Sequence, residues 1–313
     1  KYTLSRAAGE DVGSYTITPA GAAAQGNYAV TYVKGTFTIK AVPFVPGPDP
    51  DIKDPDVPKA DLNTTDHYAY IIGMPDGLVH PEQNITRGEV ATIFFRMLTD
   101  ESRTANWKTT NSYKDVPATL WCNNAISTLS NAGIIKGYDD GTFRPNAPIT
   151  RAEFATMAVR FFESKYNGND KFSDIATSWA RQYINAASEA GIIKGYTDGT
   201  FRPTQLITRA EAVTIMNRAL LRTPDKDHLL ADMKVWPDNQ VLTKWYYADM
   251  QEATNSHDYT MPEDESVTYE TWTKMQAVRD WAKFETEWAT ANASTNPGEV
   301  VTPATTSTGT SGS

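Results

Sequence analysis

A single cysteine, Cys122, stands among 313 residues. No internal disulfide can form, and no cysteine-based zinc site can be built. Histidine is also scarce. His67, His80, His228 and His257 lie far apart along the chain, with no His-Glu-x-x-His spacing, so neither a metal site nor a cofactor is expected. Basic residues are outnumbered: 29 Lys and Arg face 38 Asp and Glu, a formal net charge of -9. Nucleic-acid binders carry a basic face, so that partner class is disfavoured. No apolar run approaches the roughly 18 residues of a membrane helix, so insertion into a bilayer is not expected. Nucleophile elbows, phosphate loops and catalytic metal signatures are missing, so catalysis within these residues is not expected. The chain opens on Lys1 without an initiator Met or a signal-peptide pattern and reads as a fragment of something longer.

What is present suffices for a sizeable core: 40% of residues are hydrophobic, and the length predicts two domains more readily than one. Residues 1–41 alternate. Tyr15, Ile17, Tyr28, Val30, Tyr32, Phe37 and Ile39 recur among small polar residues, with Gly13, Gly21, Gly26 and Gly35 between the runs. That is the period of half-buried strands. Three or four such strands make a poor independent sandwich, so the segment is expected to be a partial one. Residues 42–60 hold six prolines and read as a semi-rigid linker. Residues 291–313, rich in Thr, Ser, Gly and Ala, read as a disordered tail.

Between these, the chain repeats. Ala132-Gly-Ile-Ile-Lys-Gly-Tyr-Asp-Asp-Gly-Thr-Phe-Arg-Pro-Asn-Ala-Pro-Ile-Thr-Arg-Ala-Glu153 aligns without a gap on the segment from Ala190 to Glu211. A weaker copy runs from Tyr70 to Glu89. Each copy ends in Thr-Arg-x-Glu before an apolar run of helical period. Thr86, Thr150 and Thr208 with Glu89, Glu153 and Glu211 form capping boxes. A second helix precedes two of the copies. Tyr113-x-Asp115 leads to Trp121, Ile126 and Leu129, and Phe172-x-Asp174 leads to Trp179, Ile184 and Ala187. The first copy lacks this helix, but Trp236-Pro-Asp238, Trp245, Met250 and Ala253 reproduce it at the other end of the chain. This terminal half-unit is expected to complete the first copy, so that three units close around an axis. A helix over about 268–289, carrying Trp272, Met275, Trp281 and Trp288, is expected to brace the closure. Trp121, Trp179 and Trp245 are expected in the core. The Asp-Gly pairs at 76–77, 140–141 and 198–199 read as turns, and Cys122 as a buried filler.

The sequence of Phe/Tyr-x-Asp, Trp, Gly-Ile-Ile-Lys-Gly-Tyr-x-Asp-Gly-Thr-Phe-Arg-Pro and Ile-Thr-Arg-Ala-Glu resembles the S-layer homology (SLH) family over roughly residues 61–256. Asp11-Val-Gly-Ser-Tyr-Thr-Ile-Thr, Gly26-Asn-Tyr and Lys34-Gly-Thr-Phe-Thr-Ile resemble the last strands of MBG-type Ig-like repeats of bacterial surface proteins. The resemblance implies a mainly α fold, a pseudo-threefold assembly of three helix-loop-helix modules (61–112, 113–170 and 171–228), preceded by a small truncated Ig-like β segment. A C-terminal half-unit with its bracing helix would occupy 229–290. The resemblance also implies an extracellular, non-enzymatic anchor in a bacterial cell wall or S-layer. Its partner would be an anionic, often pyruvylated, secondary cell-wall polysaccharide, and self-association in a lattice is a further possibility. A surface-lattice or adhesin stalk, and the anchor region of a glycan-acting enzyme, are the alternatives. The first copy departs from the pattern at Met74, Val79, His80 and Gly88.

Candidate ligand contacts follow from charge. Arg87, Arg151 and Arg209 fall at the first helical position, beside backbone N–H groups that favour anions. A guanidinium there is unhelpful to its own helix, so a carboxylate is sought elsewhere, on a ligand or on a neighbouring unit. Tyr138 and Tyr196 could face a sugar or pack in the core. Lys136 and Lys194 could be solvated or add positive charge to the same grooves, and Arg144 and Arg202, in Phe-Arg-Pro, could brace their loops or contact the ligand.

Overall fold

The computed structural model describes residues 2–6, 13–25, 27–39, 60–162, 166, 168–263 and 266–291. Apart from Ala60 and Ala291, the expected linker and the expected disordered tail lie outside the described residues. The chain divides into two compact units, Lys1–Asp49 and Pro50–Ser313.

The first unit is a small antiparallel sheet in the order β1 (Tyr2–Arg6), β2 (Gly13–Gly21), β5 (Gly35–Ile39), with a short pair β3 (Ala24–Gln25) and β4 (Tyr28–Ala29). Tyr15 lies opposite Phe37 and Ile17 opposite Gly35. The alternation predicts β2 and β5 but not β1, whose Tyr2 and Leu4 are exposed. Tyr15, Ile17, Val30 and Tyr32 are half-buried as expected, whereas Tyr28 and Phe37 are exposed.

The second unit is mainly helical. Its elements are α1 (Arg87–Met97), α2 (Asp100–Asn106), α3 (Asn123–Asn131), α4 (Arg151–Val159), α5 (Arg181–Glu189), α6 (Arg209–Ala219), α7 (Tyr247–Thr254), a hairpin of β6 (His257–Thr260) and β7 (Thr271–Met275), and α8 (Trp281–Ala291). All three capping boxes form: Thr86, Thr150 and Thr208 accept from the backbone N–H of Glu89, Glu153 and Glu211, whose carboxylates accept in return. The helices pack in pairs, α1 on α3, α4 on α5 and α6 on α7. Every pair therefore joins the capped helix of one copy to the leading helix of the next.

The extended segments before the capped helices meet in a cycle of isolated β-bridges. Ile85 N–H donates to the carbonyl of Ile207, Ile207 to that of Ile149, and Ile149 to that of Ile85, each at 3.1 Å. All three isoleucines are fully buried. Burying such a side chain contributes about 1.5–3 kcal/mol, so hydrophobic burial and paired backbone groups act at the same place.

The first copy and the terminal half-unit also meet. In the middle copy the carbonyl of Leu129 accepts from Ile134 and Ile135, and in the third that of Ala187 accepts from Ile192 and Ile193. At the terminal half-unit, Ala253 accepts instead from Tyr70 and Ile71 of the first copy. Asp115 accepts from the N–H groups of Phe143 and Arg144, Asp174 from those of Phe201 and Arg202, and Asp238 from those of Val79 and His80. The aromatic ring two residues before each aspartate lies against a glycine: Tyr113 on Gly137, Phe172 on Gly195 and Trp236 on Gly73, each closer than an added Cβ would allow.

Three expectations are corrected. Trp121 and Trp245 are 56% and 62% exposed, and Trp179 is only partly buried. The helices start at Asn123, Arg181 and Tyr247, so each tryptophan precedes its helix and lies outside its apolar face; the next residues, Cys122, Ala180 and Tyr246, are buried instead. The helix expected over 268–289 is a strand followed by a helix. Thr268, Tyr269, Thr271, Trp272 and Thr273 favour β structure, and only α8 is helical, with Trp281 and Trp288 buried as bracing residues. The indole N–H of Trp281 donates to the carbonyl of Ala69, and Trp288 packs on Trp107 at 5.2 Å. Finally, the histidines are not all distant: His67 Nδ1 lies 3.1 Å from His257 Nε2.

Candidate functional site

Each of the three arginines leaves its own copy. Arg87 Nη1 pairs with Glu153 at 3.0 Å, Arg151 Nη1 with Glu211 at 3.3 Å, and Arg209 Nη1 with Glu89 at 2.6 Å. Donor to acceptor, the ion pairs run from each copy to the next, in the opposite cyclic sense to the isoleucine hydrogen bonds. The Nε groups of Arg87, Arg151 and Arg209 donate to the carbonyls of Phe143, Phe201 and Val79. Nη2 of Arg87 donates to the carbonyl of Lys136, and that of Arg151 to Lys194. All three arginines are buried, with at most 6% exposure. Of the two partners sought for these guanidinium groups, the structure supplies the carboxylate on the neighbouring copy.

The backbone amides beside them are occupied as well. Arg87 N–H donates to Ala147, Gly88 N–H to Pro145, and Glu89 N–H to the Thr86 hydroxyl, with equivalent bonds at the other two helices. The N–H groups beside the arginines are therefore not free for an anion: carbonyls of the next copy take the first two at each helix, and the N-cap threonine takes the third.

Above Arg87 and Arg151 lies a tyrosine, and above the tyrosine an exposed arginine. The Tyr138 ring has Arg87 at 4.7 Å and Arg144 at 4.0 Å from its centre, and Tyr196 has Arg151 at 4.8 Å and Arg202 at 3.9 Å. A guanidinium over an aromatic face is held by the ring quadrupole. Tyr138 donates to Glu153 at 2.6 Å and Tyr196 to Glu211 at 3.2 Å. Burial pushes the Tyr138 hydroxyl up to about 12 and raises that of Tyr196 as well. The capping glutamate thus serves its helix, the neighbouring arginine and the tyrosine together.

Arg144 and Arg202 sit in left-handed backbone, both at φ 58°. That conformation costs a non-glycine residue about 1–2 kcal/mol. Asp115 and Asp174 offset it by binding two consecutive N–H groups each. The guanidinium groups of Arg144 and Arg202 each spend one Nη2 bond on Asp140 and Asp198. These aspartates are held down at about 2, first by the Thr142 and Thr200 hydroxyls and then by the arginines. Lys136 and Lys194, two residues before the tyrosines, are exposed.

The structure thus brings Arg87, Tyr138 and Arg144 together in one stack and Arg151, Tyr196 and Arg202 in a second, with Lys136 and Lys194 exposed two residues before the tyrosines. Arg209 faces the first copy's loop, where Met74 stands for the tyrosine, Ile72 for the lysine and His80 for the exposed arginine. His80 keeps the left-handed backbone, φ 48°, and its Nε2 meets Asp76 at 2.6 Å. The nearby surface depression is lined by His80, Glu82, Asp238, Lys244 and Tyr246, so carboxylates replace part of the positive charge. The degenerate loop is therefore paired with Arg209, not with Arg87 as chain order suggests. The second role of Glu89, Glu153 and Glu211 and the loop-pinning role of Asp115, Asp174 and Asp238 are not apparent from local sequence. The similar spacing from each in-copy aspartate to its Phe-Arg pair, 28 residues to Phe143 and 27 to Phe201, is the one signal of the latter.

Among the described residues no helix is long and apolar enough to cross a membrane. The family model for the S-layer homology domain matches residues 68–91, 112–155 and 171–213. The chain is 40% identical over 214 residues to Cell surface glycoprotein 1 of Acetivibrio thermocellus, covering 64% of this chain and 9% of that protein. It is 38% identical over 215 residues to the Cellulosome-anchoring protein of the same organism, covering 67% and 47%. It is 30% identical over 200 residues to S-layer protein EA1 of Bacillus anthracis, covering 58% and 22%. The chain spans less than half the length of each of these relatives. Three segments of the chain belong to the S-layer homology domain family, and residues 1–38 match the MBG domain (YGX type).

Proposed function

We propose that the helical unit anchors a larger surface protein by binding an anionic, pyruvylated secondary cell-wall polysaccharide. The location is extracellular, at the cell wall or S-layer. The anchoring role is supported by the S-layer homology match and by similarity to a protein called cellulosome-anchoring. The unit is a pseudo-threefold assembly of copies spanning 61–112, 113–170 and 171–228, with 229–290 completing the first. The cyclic isoleucine bonds and the cyclic Arg–Glu pairs support that arrangement.

The observation that carries the ligand assignment is the repeated stack of exposed arginine, tyrosine and buried arginine. Arg144 and Arg202 offer a guanidinium to solvent, each sharing one donor nitrogen with an exposed aspartate. Such an exposed pair contributes little in water, so a ligand carboxylate can share or displace it. Lys136 and Lys194 add charge, and the tyrosine edge offers apolar contact to a sugar ring. Arg87 and Arg151 form the floor and fix the tyrosines.

The test is pull-down of purified wall polysaccharide by wild type and by the Arg144→Ala, Arg202→Ala double variant, with folding followed by circular dichroism. A charge-assisted hydrogen bond contributes about 1.5–3 kcal/mol. Each groove should therefore weaken at least about tenfold while the helical spectrum persists. Binding equal to wild type by the folded double variant would remove these grooves as the ligand site.

A further inference from the structure

We propose that His67, Glu252, His257 and Glu270 form a buried, four-coordinate site for a divalent transition-metal ion, zinc foremost, which fastens the first copy to the terminal half-unit. The four residues come from distant parts of the helical unit: His67 lies near the start of the first copy, Glu252 on α7, His257 opens β6 and Glu270 stands just before β7. None is more than 4% exposed. One ligand atom from each lies within 4.8 Å of all the others.

The distances from the two imidazoles to each other and to the carboxylates, with Glu252 turning one oxygen to each ring, are near the edges of a tetrahedron. Zinc holds imidazole nitrogen and carboxylate oxygen at about 2.0–2.1 Å, which places neighbouring ligand atoms about 3.3 Å apart. His67 Nδ1 lies 3.1 Å from His257 Nε2, 3.1 Å from Glu252 Oε1 and 3.4 Å from Glu270 Oε1. His257 Nε2 lies 3.3 Å from Glu252 Oε2 and 3.7 Å from Glu270 Oε1.

Two further observations point to a cation. Glu252 Oε2 and Glu270 Oε1 are buried without a hydrogen-bond partner, and a buried carboxylate oxygen in that state is costly unless a cation meets it. The surroundings also orient the ligands. The Asn255 carbonyl can only accept, so His257 Nδ1 carries the proton at 3.0 Å and its Nε2 lone pair faces the cluster. Glu270 Oε2 accepts from Thr223 N–H at 3.0 Å, and Glu252 Oε1 from Arg222 at 3.3 Å. The His67 ring stacks on Tyr259 and the His257 ring on Trp272, which fixes both planes.

The chemistry follows from the donor set. Two neutral imidazoles and two carboxylates balance a dication and fill four positions, leaving none for substrate. Closed, buried sites of this kind are structural. Because the preformed geometry exists only in the folded chain, binding energy becomes folding energy. The ligands span 203 residues from His67 to Glu270, so the ion holds the contact on which closure of the unit depends.

The experiment uses the full chain. Metal content is measured by elemental mass spectrometry after purification without chelator. The protein is then stripped, and its thermal midpoint is followed as zinc alone is added back. Cobalt(II) is added to a second stripped sample, and its visible absorption reports tetrahedral coordination. We expect about one zinc per chain, a midpoint that falls on stripping and recovers with zinc, and an intense tetrahedral cobalt band. Glu270→Gln, which keeps size and burial, should lose the band and the zinc-dependent recovery. If His257→Ala fails to fold, the cobalt spectrum of the unaltered chain still decides. No stoichiometric metal, no tetrahedral band and a midpoint indifferent to zinc would overturn the proposal and leave a proton-sharing His–Glu network. Retention of one zinc and of the tetrahedral band by folded Glu270→Gln would overturn this ligand set.

Discussion

At the scale of single residues, the buried arginines are the clearest case of one side chain holding two repeats together. Arg151 is 6% exposed and its partner Glu211 keeps 18% side-chain exposure. Breaking a buried pair by removing one member costs about 3–5 kcal/mol; the residual exposure of the glutamate places Arg151→Ala near 3. Urea unfolding should show that loss, and Arg151→Ala with Glu211→Gln should lose less than the sum of the single changes. Asp140 and Asp198 give a pH prediction of opposite simplicity, because both are exposed. Their folded pKa lies near 2, below the ordinary value for aspartate. Their contribution is therefore complete above about pH 4 and is lost as pH falls through about 2. The amide resonances of Thr142 and Thr200 should titrate with midpoints near 2, and Arg144→Ala should move only the first of them upward. The repeated sequence marked Arg87, Arg151 and Arg209 as residues needing a carboxylate. It could not choose between ligand and neighbour, because the choice depends on which copy each helix faces.

At the scale of elements, local chemistry was legible wherever the partner lay within a few residues. The capping boxes of α1, α4 and α6 need only Thr and Glu three apart, and all three form. Helix starts governed by distant packing were not legible. Trp121 and Trp245 looked like core residues because the apolar period was extended one turn too far toward the N-terminus. Thr271–Met275 looked helical because Trp272 and Met275 are three apart, but pairing with β6 decides the conformation. The departure of the first copy at Gly88 also has a packing cause. A Cβ there would meet Cys122 Sγ at 3.1 Å and the Pro145 carbonyl at 3.0 Å. In the other copies Ala152 and Ala210 bond the equivalent proline carbonyls, so Cys122 is the distinguishing neighbour. Gly88→Ala should cost about 1–3 kcal/mol by overpacking, and Cys122→Ala should relieve part of that cost. Thermal midpoints of the two single variants and the double variant measure the coupling. Strict additivity would mean that the proline carbonyl alone sets the limit.

At the scale of the whole molecule, the second unit reads as a repeat cut open within its first copy. The Trp236-Pro-Asp238 motif made the missing half recognisable in sequence, because it matches Tyr113-x-Asp115 and Phe172-x-Asp174. The regrouping of grooves was not recognisable. Each joins the arginine of one copy to the loop of the next, and that pairing exists only after the helices have packed. The His67–Glu252–His257–Glu270 cluster was hidden for the same reason, since its members are separated by up to 203 residues, from His67 to Glu270. The central claim is that the terminal half-unit and the first copy form a single unit equivalent to the in-chain ones. Native-state hydrogen exchange tests it most directly. The amides of Tyr70 and Ile71 bond Ala253 as those of Ile134 and Ile135 bond Leu129 and those of Ile192 and Ile193 bond Ala187. The closed arrangement predicts that all six exchange only through global unfolding, with the same free energy. Rapid exchange at Tyr70 and Ile71, while the other four stay protected, would contradict it.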